Sequence, residues 1–321
     1  MKAIVHYDFG SPDVLQYEDV EKPTPGDTQV LIRVRAAALN PFDLGLIKGK
    51  PYLVRLIVGL RKQKRAGRDV AGEVEAVGSK VTRFKPGQAV FGACPGALAN
   101  YASASERNLA EKPDNLTFEE AASLPIAGLT ALQSLYGRAK VKPGQKVLIN
   151  GAAGGVGTFA VQIAKSLGAQ VTGVCSTRNV ERVQSLGADR VIDYTREDFA
   201  RGQGRYDSIL ECVGNRSFSE CRRVLEPHGV YVPIGAPKEF STLLSRTLRA
   251  FVRSCFVSQK FRLILANLNS EDLTRLGQLT SSGQCTPVID RIYPLSEARD
   301  AYRYLSEGHA RGKVVVTVPE P

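Results

Sequence analysis

The sequence predicts an α/β fold in two domains, one rich in β-strands and one built on a doubly wound parallel sheet. Three observations support this. Apolar and polar residues alternate over the first ~125 residues, strands and helices alternate from ~126 to ~240, and a buried strand runs into a glycine-rich turn. The 321 residues are enough for two hydrophobic cores. We assign residues 1–125 and 266–321 to one domain and residues 126–265 to the other.

The first domain shows the pattern of half-buried strands. Residues 29–37 (QVLIRVRAA) and 69–78 (DVAGEVEAVG) alternate apolar with polar side chains, which point to opposite faces of a strand. A Pro-Gly turn at 84–90 leads into another strand, because proline presets φ and glycine accepts the positive φ that follows. A helix at 295–305 and an apolar strand at 313–318 are expected to return to this domain.

Strands and helices alternate through the central part of the chain. The predicted strands cover residues 146–150, 170–175, 190–193, 206–213 and 230–235. The predicted helices cover residues 155–167, 179–186, 196–201 and 218–225. Each strand is almost entirely apolar, as expected when helices cover both faces of a parallel sheet. The second domain is therefore predicted to be doubly wound.

The segment VLINGAAGGVG at 147–157 has the order of a phosphate-binding site. It reads as a strand and a glycine-rich turn, and apolar residues at helical spacing follow it. Backbone N–H groups at such a turn approach a pyrophosphate, and the helix N-terminus adds partial positive charge. The alternative is a glycine-rich helix start in another kind of α/β protein. The predicted dinucleotide site consists of the backbone of Ala153, Gly154, Gly155, Val156 and Gly157.

The residues after the second strand of this domain favour NADPH as the cofactor. Enzymes that prefer NAD place an acidic residue here to bind the ribose 2′-hydroxyl. Counting 19 residues past Gly157 gives Ser176, and Arg178 lies two residues further on. An acid would repel a 2′-phosphate, whereas serine and arginine can donate hydrogen bonds to it. The alternative is that Arg178 is a solvated residue and that the protein accepts either nucleotide.

Composition narrows the classes of partner. The net charge of +11 suits an anionic cofactor, a nucleic acid or an anionic membrane, or is simply a basic surface. Neither an aromatic RNA-binding motif nor a recognition helix is visible, so no nucleic-acid partner is expected. No run of about 18 apolar residues and no signal-peptide pattern occurs, and the six cysteines form no CxxC pair. These features predict a cytoplasmic protein with reduced cysteines.

Six motifs along the chain resemble those of one enzyme family. They are LNPFD at 39–43, AGRDVAGEVEAVG at 66–78, LPIAGLTAL at 124–132, GAAGGVG at 151–157, LGADRVIDYT at 186–195 and ARGKVVV at 310–316. The ordered set is similar to that of zinc-free members of the medium-chain dehydrogenase/reductase superfamily, the quinone oxidoreductase group. The resemblance implies a GroES-like β-barrel catalytic domain, a Rossmann cofactor domain, an active site in the cleft between them and a homodimer.

The resemblance also implies that no metal is bound. Zinc alcohol dehydrogenases of this superfamily hold their catalytic zinc with cysteine and histidine at the positions of Asn40, Arg68 and Ala127, so all three ligands are lost here. The cluster of four cysteines that binds structural zinc is missing, and the three histidines have no metal-like spacing. Without a Lewis acid, oxidation of a plain alcohol becomes difficult.

Further cofactor contacts follow from the resemblance. Thr130 is expected at the nicotinamide carboxamide and Tyr194 near the adenosine phosphate. Val213 and Gly214 are expected beneath the ribose, and Ile234 and Gly235 near the nicotinamide. Lys313 is expected close to the same cleft. Each could instead be a strand-end or loop residue without a role in binding.

Three residues are candidates for the substrate side. By resemblance Asn40 faces the cleft, where its amide could donate to a carbonyl oxygen that gains negative charge when hydride arrives. Asp43 could orient Asn40 or a ribose hydroxyl, or could cap the turn after Pro41. Tyr52 could supply a phenolic proton or be an exposed aromatic residue. Reduction of a quinone requires little general acid catalysis, because the negative charge of its product anion is delocalised and the anion takes a proton from water.

The function that these features predict is zinc-independent, NADPH-dependent hydride transfer to a quinone or to an activated C=C or carbonyl group of a small molecule. Quinone and enone reduction both stay open. Another alternative is a non-catalytic nucleotide-binding module at a membrane surface, suggested by the basic amphipathic segment 243–256. This segment could instead cover the cleft or a dimer contact. The segment 51–65, apolar and then basic, matches no family motif.

Overall fold

The computed structural model describes residues 1–49, 64–235 and 240–320, apart from the side chains of residues 240–244. The chain divides into two compact units. The first comprises Met1–Leu129, Asn267–Gly283 and Pro287–Pro321, and the second comprises Thr130–Ala266 and Gln284–Thr286. The sequence division placed residues 284–286 in the first domain. They group with the second unit, where the side-chain amide of Gln162 makes two hydrogen bonds, of 2.9 and 2.8 Å, with the backbone of Thr286.

The strands and helices are numbered along the described chain. The strands are β1 (Lys2–His6), β2 (Gln16–Asp19), β3 (Gln29–Leu39), β4 (Lys64–Arg65), β5 (Asp69–Val77), β6 (Ala89–Ala93), β7 (Tyr101–Ser105), β8 (Leu109–Glu111), β9 (Lys146–Asn150), β10 (Gln170–Cys175), β11 (Arg190–Asp193), β12 (Tyr206–Glu211), β13 (Leu225–Pro233), β14 (Lys260–Phe261), β15 (Ile289–Pro294) and β16 (Lys313–Thr317). The α-helices are α1 (Pro41–Lys48), α2 (Phe118–Ser123), α3 (Pro125–Leu132), α4 (Gly155–Ser166), α5 (Val180–Ser185), α6 (Phe218–Cys221), α7 (Phe240–Ser254), α8 (Ser270–Ser281) and α9 (Ala298–Ser306). Within the described ranges, no helix combines the length and the apolar character that crossing a membrane requires.

Strand β3 organises the first unit. Its 11 residues pair antiparallel with β5, β7 and β16, in a seven-stranded sheet whose main order is β15-β16-β3-β5-β6-β8. The alternate residues Val30, Ile32 and Val34 are buried in the core of this unit, and Arg33 and Arg35 between and after them are half-buried, as the predicted period of two requires. The alternation does not extend over the whole strand, because Leu31 and residues 36–39 are buried too. A smaller antiparallel sheet, β2-β1-β4, belongs to the same unit.

The register at the end of β3 brings distant parts of the chain together. In the antiparallel pairs with β16 and β5, Val314 lies opposite Leu39 and Asp69 lies opposite Ala38. Asn40, the residue that follows β3, therefore lies beside the first residues of both strands. The buried polar residues Asn40, Asp69 and Lys313 therefore meet at this end of the sheet.

The second unit is a parallel six-stranded sheet in the order β11-β10-β9-β12-β13-β14. Counted from β9, this is the 3-2-1-4-5-6 order of dinucleotide-binding sheets, in which the strand order reverses between β9 and β12. Ligands of such sheets bind outside the carboxyl ends of the strands at this reversal. The predicted doubly wound parallel sheet is confirmed.

Some predicted helices are shorter in the structure. The segment predicted as helix 196–201 forms only a 3-10 turn at Phe199–Arg201. The reason is local, because the Asp198 carboxylate accepts a hydrogen bond of 3.0 Å from Ala200 N and competes with a longer helix. The helices predicted from residues 218 and 295 likewise each contain a 3-10 turn.

Candidate active site

The first feature of the site is a cluster of three buried polar side chains, Asn40, Asp69 and Lys313, which we call the buried triad. Lys313 Nζ donates to Asn40 Oδ1 at 2.7 Å and lies 3.1 Å from Asp69 Oδ2. Asn40 Nδ2 donates to the same Asp69 oxygen at 2.9 Å. None of the three residues is more than 4% exposed. The triad therefore joins the end of β3 to the first residues of β5 and β16 through a desolvated ion pair.

Asp69 also ties a helix to the triad. Its second oxygen, Oδ1, accepts a hydrogen bond of 3.1 Å from the backbone N–H of Ile126, at the start of α3. Burial raises the pKa of the Asp69 carboxyl, while Lys313 and Asn40 act in the opposite direction. An ion pair in this setting depends on all of its hydrogen bonds, because the cost of desolvating it is high.

Asp43 caps the helix that follows Asn40. Its Oδ2 accepts a hydrogen bond of 2.9 Å from Asn40 N, within a capping box at the start of α1. The other oxygen, Oδ1, is buried and has no hydrogen-bond partner among the described residues. Burial, with the Asp69 charge as the next cause, raises the pKa of Asp43 to about 7. Asp43 therefore orients the backbone at Asn40 and changes protonation near neutral pH.

The second feature lies at the reversal point of the parallel sheet. Asn150 ends β9 and Glu211 ends β12, and the two strands are parallel neighbours. Asn150 Nδ2 donates to Glu211 Oε1 and to Asn215 Oδ1, both at 2.9 Å. The sheet therefore carries a buried polar bridge at the edge where its ligand is expected.

The glycine turn beside this bridge has the backbone geometry that a phosphate requires. Gly151 has a φ of +86°, in the left-handed region that glycine favours. Helix α4 begins at Gly155, and its N-cap Gly154 makes no side-chain hydrogen bond, so backbone N–H groups of the first turn stay available. A Cβ on Gly157 would lie 2.1 Å from the carbonyl oxygen of Gly151, so only glycine lets the turn and the helix approach this closely.

A loop at residues 212–216 lines the same edge. The Glu211 carboxylate accepts hydrogen bonds from the backbone N–H groups of Val213, Gly214 and Arg216, at 2.9, 3.0 and 3.1 Å. Gly235 packs against this loop, since a Cβ there would lie 2.5 Å from the carbonyl carbon of Val213.

A third group of residues lies at the ends of β10 and β11. Cys175 and Asp193, the last residues of these parallel neighbours, are paired in register, so the residues after them lie side by side. Ser176 accepts a hydrogen bond of 3.1 Å from Asn179 Nδ2. Arg178 is exposed and has no side-chain hydrogen bond or ion pair within the described ranges. Tyr194 is 61% exposed.

Comparison with known proteins identifies the family. Residues 26–114 match the family model of the alcohol dehydrogenase GroES-like domain, and residues 186–316 match that of zinc-binding dehydrogenases. A chloroplast envelope quinone oxidoreductase homolog of Arabidopsis thaliana is 35% identical over 334 residues, which is 98% of each chain. An NADPH-dependent alkenal/one oxidoreductase of the same plant is 34% identical over 98% of this chain and 79% of its own. The solved quinone oxidoreductase of Coxiella burnetii has a TM-score of 0.90, 35% identity and 99% coverage of both chains.

The chain belongs to the medium-chain dehydrogenase/reductase superfamily, in its quinone oxidoreductase group. As a member of this group it is an oxidoreductase, and its cofactor class is a nicotinamide nucleotide. The predicted GroES-like and Rossmann domains are confirmed.

The structure gives the predicted substrate-side residues partners within the protein. Asn40 was predicted to donate to a substrate oxygen, yet it is 4% exposed and its amide is bonded to Asp69 and Lys313. Lys313, predicted to lie close to the same cleft, is 2% exposed. Asp43, for which capping of the turn after Pro41 was one of the two predicted roles, forms the capping box of α1. Tyr52 lies outside the described residues.

The positions of zinc ligands in the metal-dependent branch hold a different chemistry here. Asn40 is committed to the buried triad, Arg68 carries a positive charge, and Ala127 offers only a methyl group. The Arg68 guanidinium stacks over Phe42, with 5.2 Å to the ring centroid. No group of three or more His, Cys, Asp or Glu residues within the described ranges could hold a metal ion. This set of side chains does not fit zinc.

Most of the predicted cofactor residues meet at the carboxyl edge of the parallel sheet. The glycine turn, Val213, Gly214, Gly235 and Ile234 surround the reversal point, with Ile234 N and Gly235 N both donating to Glu211 O at 2.9 and 2.8 Å. Thr130, in α3, is the first residue of the second unit and is half-buried. These residues fit a dinucleotide whose phosphates meet backbone N–H groups.

Sequence reasoning missed Asn150, Glu211 and Asp69. Asn150 and Glu211 are polar residues at the carboxyl ends of parallel strands, and this pattern was a usable signal, whereas Asp69 is the first residue of the antiparallel strand β5. Polar groups that end buried strands of a parallel sheet lie at its ligand edge, so KVLIN and YDSILE pointed to Asn150 and Glu211.

Proposed function

We propose that this oxidoreductase uses NADPH to transfer hydride, without a metal ion, to a quinone or to an activated C=C bond of a small molecule. The observation that carries the proposal is the carboxyl edge of the parallel sheet. There the glycine turn, the loop at 212–216 and the pair Ser176 and Arg178 follow neighbouring strands. The relatives named for quinone and for alkenal/one reduction support both substrate classes.

The choice of NADPH rests on the residues after β10. Ser176 and the Arg178 guanidinium, which has no partner among the described residues, can both donate hydrogen bonds to a 2′-phosphate. Asp193, which is paired in register with Cys175, is engaged, because Thr177 Oγ1 donates to its Oδ2 at 2.5 Å and Thr195 donates to its Oδ1 from both N and Oγ1. The name of the NADPH-dependent relative adds support.

The metal-free part of the proposal rests on the donor set around Asn40. The three side chains are the Asn40 amide, which is bonded to an ion pair, the Arg68 guanidinium and the Ala127 methyl group. They offer no open tetrahedral site for zinc. A quinone does not need a Lewis acid, because negative charge in its product is delocalised and water supplies the proton. The nicotinamide supplies the hydride when bound.

The residues of the chain bind and orient the nucleotide. The first turn of α4 offers N–H groups to phosphate oxygens, and the loop at 212–216 is held in one conformation by Glu211. The buried triad fixes the ends of β3, β5 and β16 relative to α3.

NADPH oxidation by the purified protein tests this function. The assay follows the reduced nucleotide with 1,4-benzoquinone or an α,β-unsaturated ketone as acceptor, with NADH in parallel, before and after treatment with a chelator. We expect turnover of at least one acceptor, a preference for NADPH and no effect of the chelator. Absence of turnover with both acceptors would remove the proposal, and one tightly bound zinc per active chain would remove its metal-free part.

We also propose a homodimer in the cytoplasm. Six of the twelve exposed large apolar side chains of the described residues lie in one stretch of 18 residues in the second unit. We call them the apolar patch: Leu248, Phe251, Val252, Phe256, Leu263 and Leu265. Such a concentration is uncommon on the surface of a monomer, and a second copy of the chain would cover it.

A second candidate function, binding at an anionic membrane surface, is favoured by the charges beside the apolar patch. Arg249, Arg253, Lys260 and Arg262 are exposed there, and residues 240–270 contain no acidic side chain. A helix that carries cations beside exposed apolar residues can lie in the headgroup region of anionic lipids.

A further inference from the structure

Glu211 is a buried carboxylate surrounded by hydrogen-bond donors. Its Oε1 accepts from Asn150 Nδ2, Val213 N and Gly214 N, and its Oε2 accepts from Arg216 N. The residue is 0% exposed. The nearest guanidinium on its own loop, that of Arg216, instead bonds Asp198 and Glu220. All four partners of Glu211 are N–H groups, which suit an ionised carboxylate because it only accepts hydrogen bonds. Burial raises the pKa of the Glu211 carboxyl, and these hydrogen bonds act in the opposite direction.

These bonds hold a loop that has no helix or strand of its own. Residues 212–216 lie between β12 and α6 without regular secondary structure, so their backbone N–H groups need other partners. The Glu211 carboxylate is the acceptor for three of these N–H groups. A fourth, Cys212 N, donates to Asn150 O at 2.9 Å. Three backbone N–H groups of the loop therefore depend on one side chain and not on a ladder of backbone bonds.

The same loop is packed between the glycine turn and the end of β13. A Cβ on Gly151 would lie 2.8 Å from the Val213 side chain, and one on Gly235 would lie 2.6 Å from Gly214 N. Arg246, in α7, donates to the carbonyl oxygen of Gly214 at 3.2 Å. A change in the position of the loop would therefore alter the edge of the sheet where the phosphate turn begins.

We propose that Glu211 is a positioning residue for cofactor binding: its carboxylate holds residues 212–216 in the conformation that receives the nucleotide. The inference rests on the proposed nicotinamide nucleotide as ligand. It adds a role for a residue that need not touch the nucleotide and acts through the backbone of Val213, Gly214 and Arg216.

The test is the variant Glu211→Gln. The glutamine oxygen can replace Oε1, but its amide then faces the backbone N–H of Arg216, so two donors meet and the end of the loop is released. We expect the Kd for NADPH, measured by calorimetry, to rise at least tenfold. Amide hydrogen exchange at 213, 214 and 216 should accelerate while β9 stays protected. If Glu211→Gln does not fold, Glu211→Asp is tested in its place, and the same results are expected. Aspartate is one methylene shorter, so both carboxylate oxygens move away from the loop.

Glu220→Gln is the matched control. Glu220 also accepts backbone and side-chain hydrogen bonds, from Ser217 N and Oγ at the cap of α6 and from the Arg216 guanidinium, but it bonds no backbone N–H of residues 212–216. It should lower thermal stability without changing the Kd. A Kd within about twofold of wild type in Glu211→Gln, or unchanged exchange at the three loop amides, would overturn the inference. If the wild-type protein binds no nicotinamide nucleotide, the proposed function fails, and the exchange data alone still decide whether Glu211 holds the loop.

Discussion

The proposed preference for NADPH over NADH rests mainly on Arg178. Its side chain is exposed at the end of β10 and has no partner within the described ranges, so it is free to meet an anionic ligand. In Arg178→Ala we expect the KM for NADPH to rise roughly tenfold or more, because a charge-assisted hydrogen bond contributes about 1.5–3 kcal/mol. The KM for NADH should stay within about twofold. Steady-state kinetics with both nucleotides measure this.

Arg201→Ala is the control for this substitution, because Arg201 is an exposed arginine of the same unit with a side chain 82% accessible and paired to Asp198. It should leave both KM values unchanged. Equal loss of NADPH and NADH affinity in Arg178→Ala would contradict a role in binding the 2′-phosphate.

Asp43 makes stability depend on pH. Its pKa is about 7 in the folded protein and 3.8 in the reference state, so the folded protein binds the extra proton. The resulting stability is fully present below pH 3.8 and is lost as the pH rises through about 7. In Asp43→Asn this loss, up to about 4 kcal/mol, should disappear. Urea unfolding at several pH values between about 4 and 8 measures it, and parallel curves for the two proteins would contradict the assignment.

At the scale of elements, the glycine turn joins β9 to α4 through backbone contact. In Gly157→Ala the new Cβ would lie 2.1 Å from Gly151 O, so the turn or the helix start must move. We expect at least a tenfold rise in the Kd for NADPH, measured by calorimetry. Gly137→Ala, where no heavy atom lies within 4 Å of the added Cβ, should leave the Kd unchanged. Similar effects of both substitutions would argue against a phosphate site at this turn.

The buried triad links three strands and a helix. Lys313→Met keeps the bulk of the side chain but leaves Asp69 as a buried charge without its cation. Removal of one partner of a buried pair costs about 3–5 kcal/mol, and we expect a loss of that size in urea unfolding. Lys2→Met removes an exposed pair with Asp19, with side chains 44% and 72% accessible, and should change stability little. Equal costs for the two variants would show that burial does not strengthen the role of Lys313.

Elements differ in how far their sequence predicts them. The order of strand, glycine turn and helix at 147–167 was sufficient for the dinucleotide prediction, because its residues are adjacent in the chain. The cap of α1 could also be predicted from the sequence. Asn40 is followed by proline at the first helical position and by Asp43 at the third. The buried triad could not be predicted from the sequence, because Asp69 is 29 residues from Asn40 and 244 from Lys313. Only strand register brings them together.

At the scale of the whole molecule, the proposed homodimer predicts a role for the apolar patch in association. Phe256 is 82% exposed, so replacing it in Phe256→Asp has little internal packing to lose. We expect light scattering after gel filtration to report twice the 34.8 kDa chain for wild type and a single chain for the variant. Ile292→Asp, at a residue 53% exposed in the first unit, is the control and should stay dimeric.

A monomeric wild-type protein at micromolar concentration would contradict the dimer. Co-sedimentation with vesicles of anionic lipid then tests the second candidate function. Binding that weakens with salt and is lost in Phe256→Asp would support a membrane partner for the apolar patch.

Local signals in the sequence were sufficient to predict the parallel sheet and its glycine turn, because each signal occupies one short stretch of chain. Tertiary structure decided the partners of Asn40, the burial of Lys313 and the donors around Glu211. A hydrogen bond requires two atoms about 3 Å apart, and for residues on different strands that distance is set by the register of the strands. The pairing of β3 with β5 and β16, and of β9 with β12, sets it here.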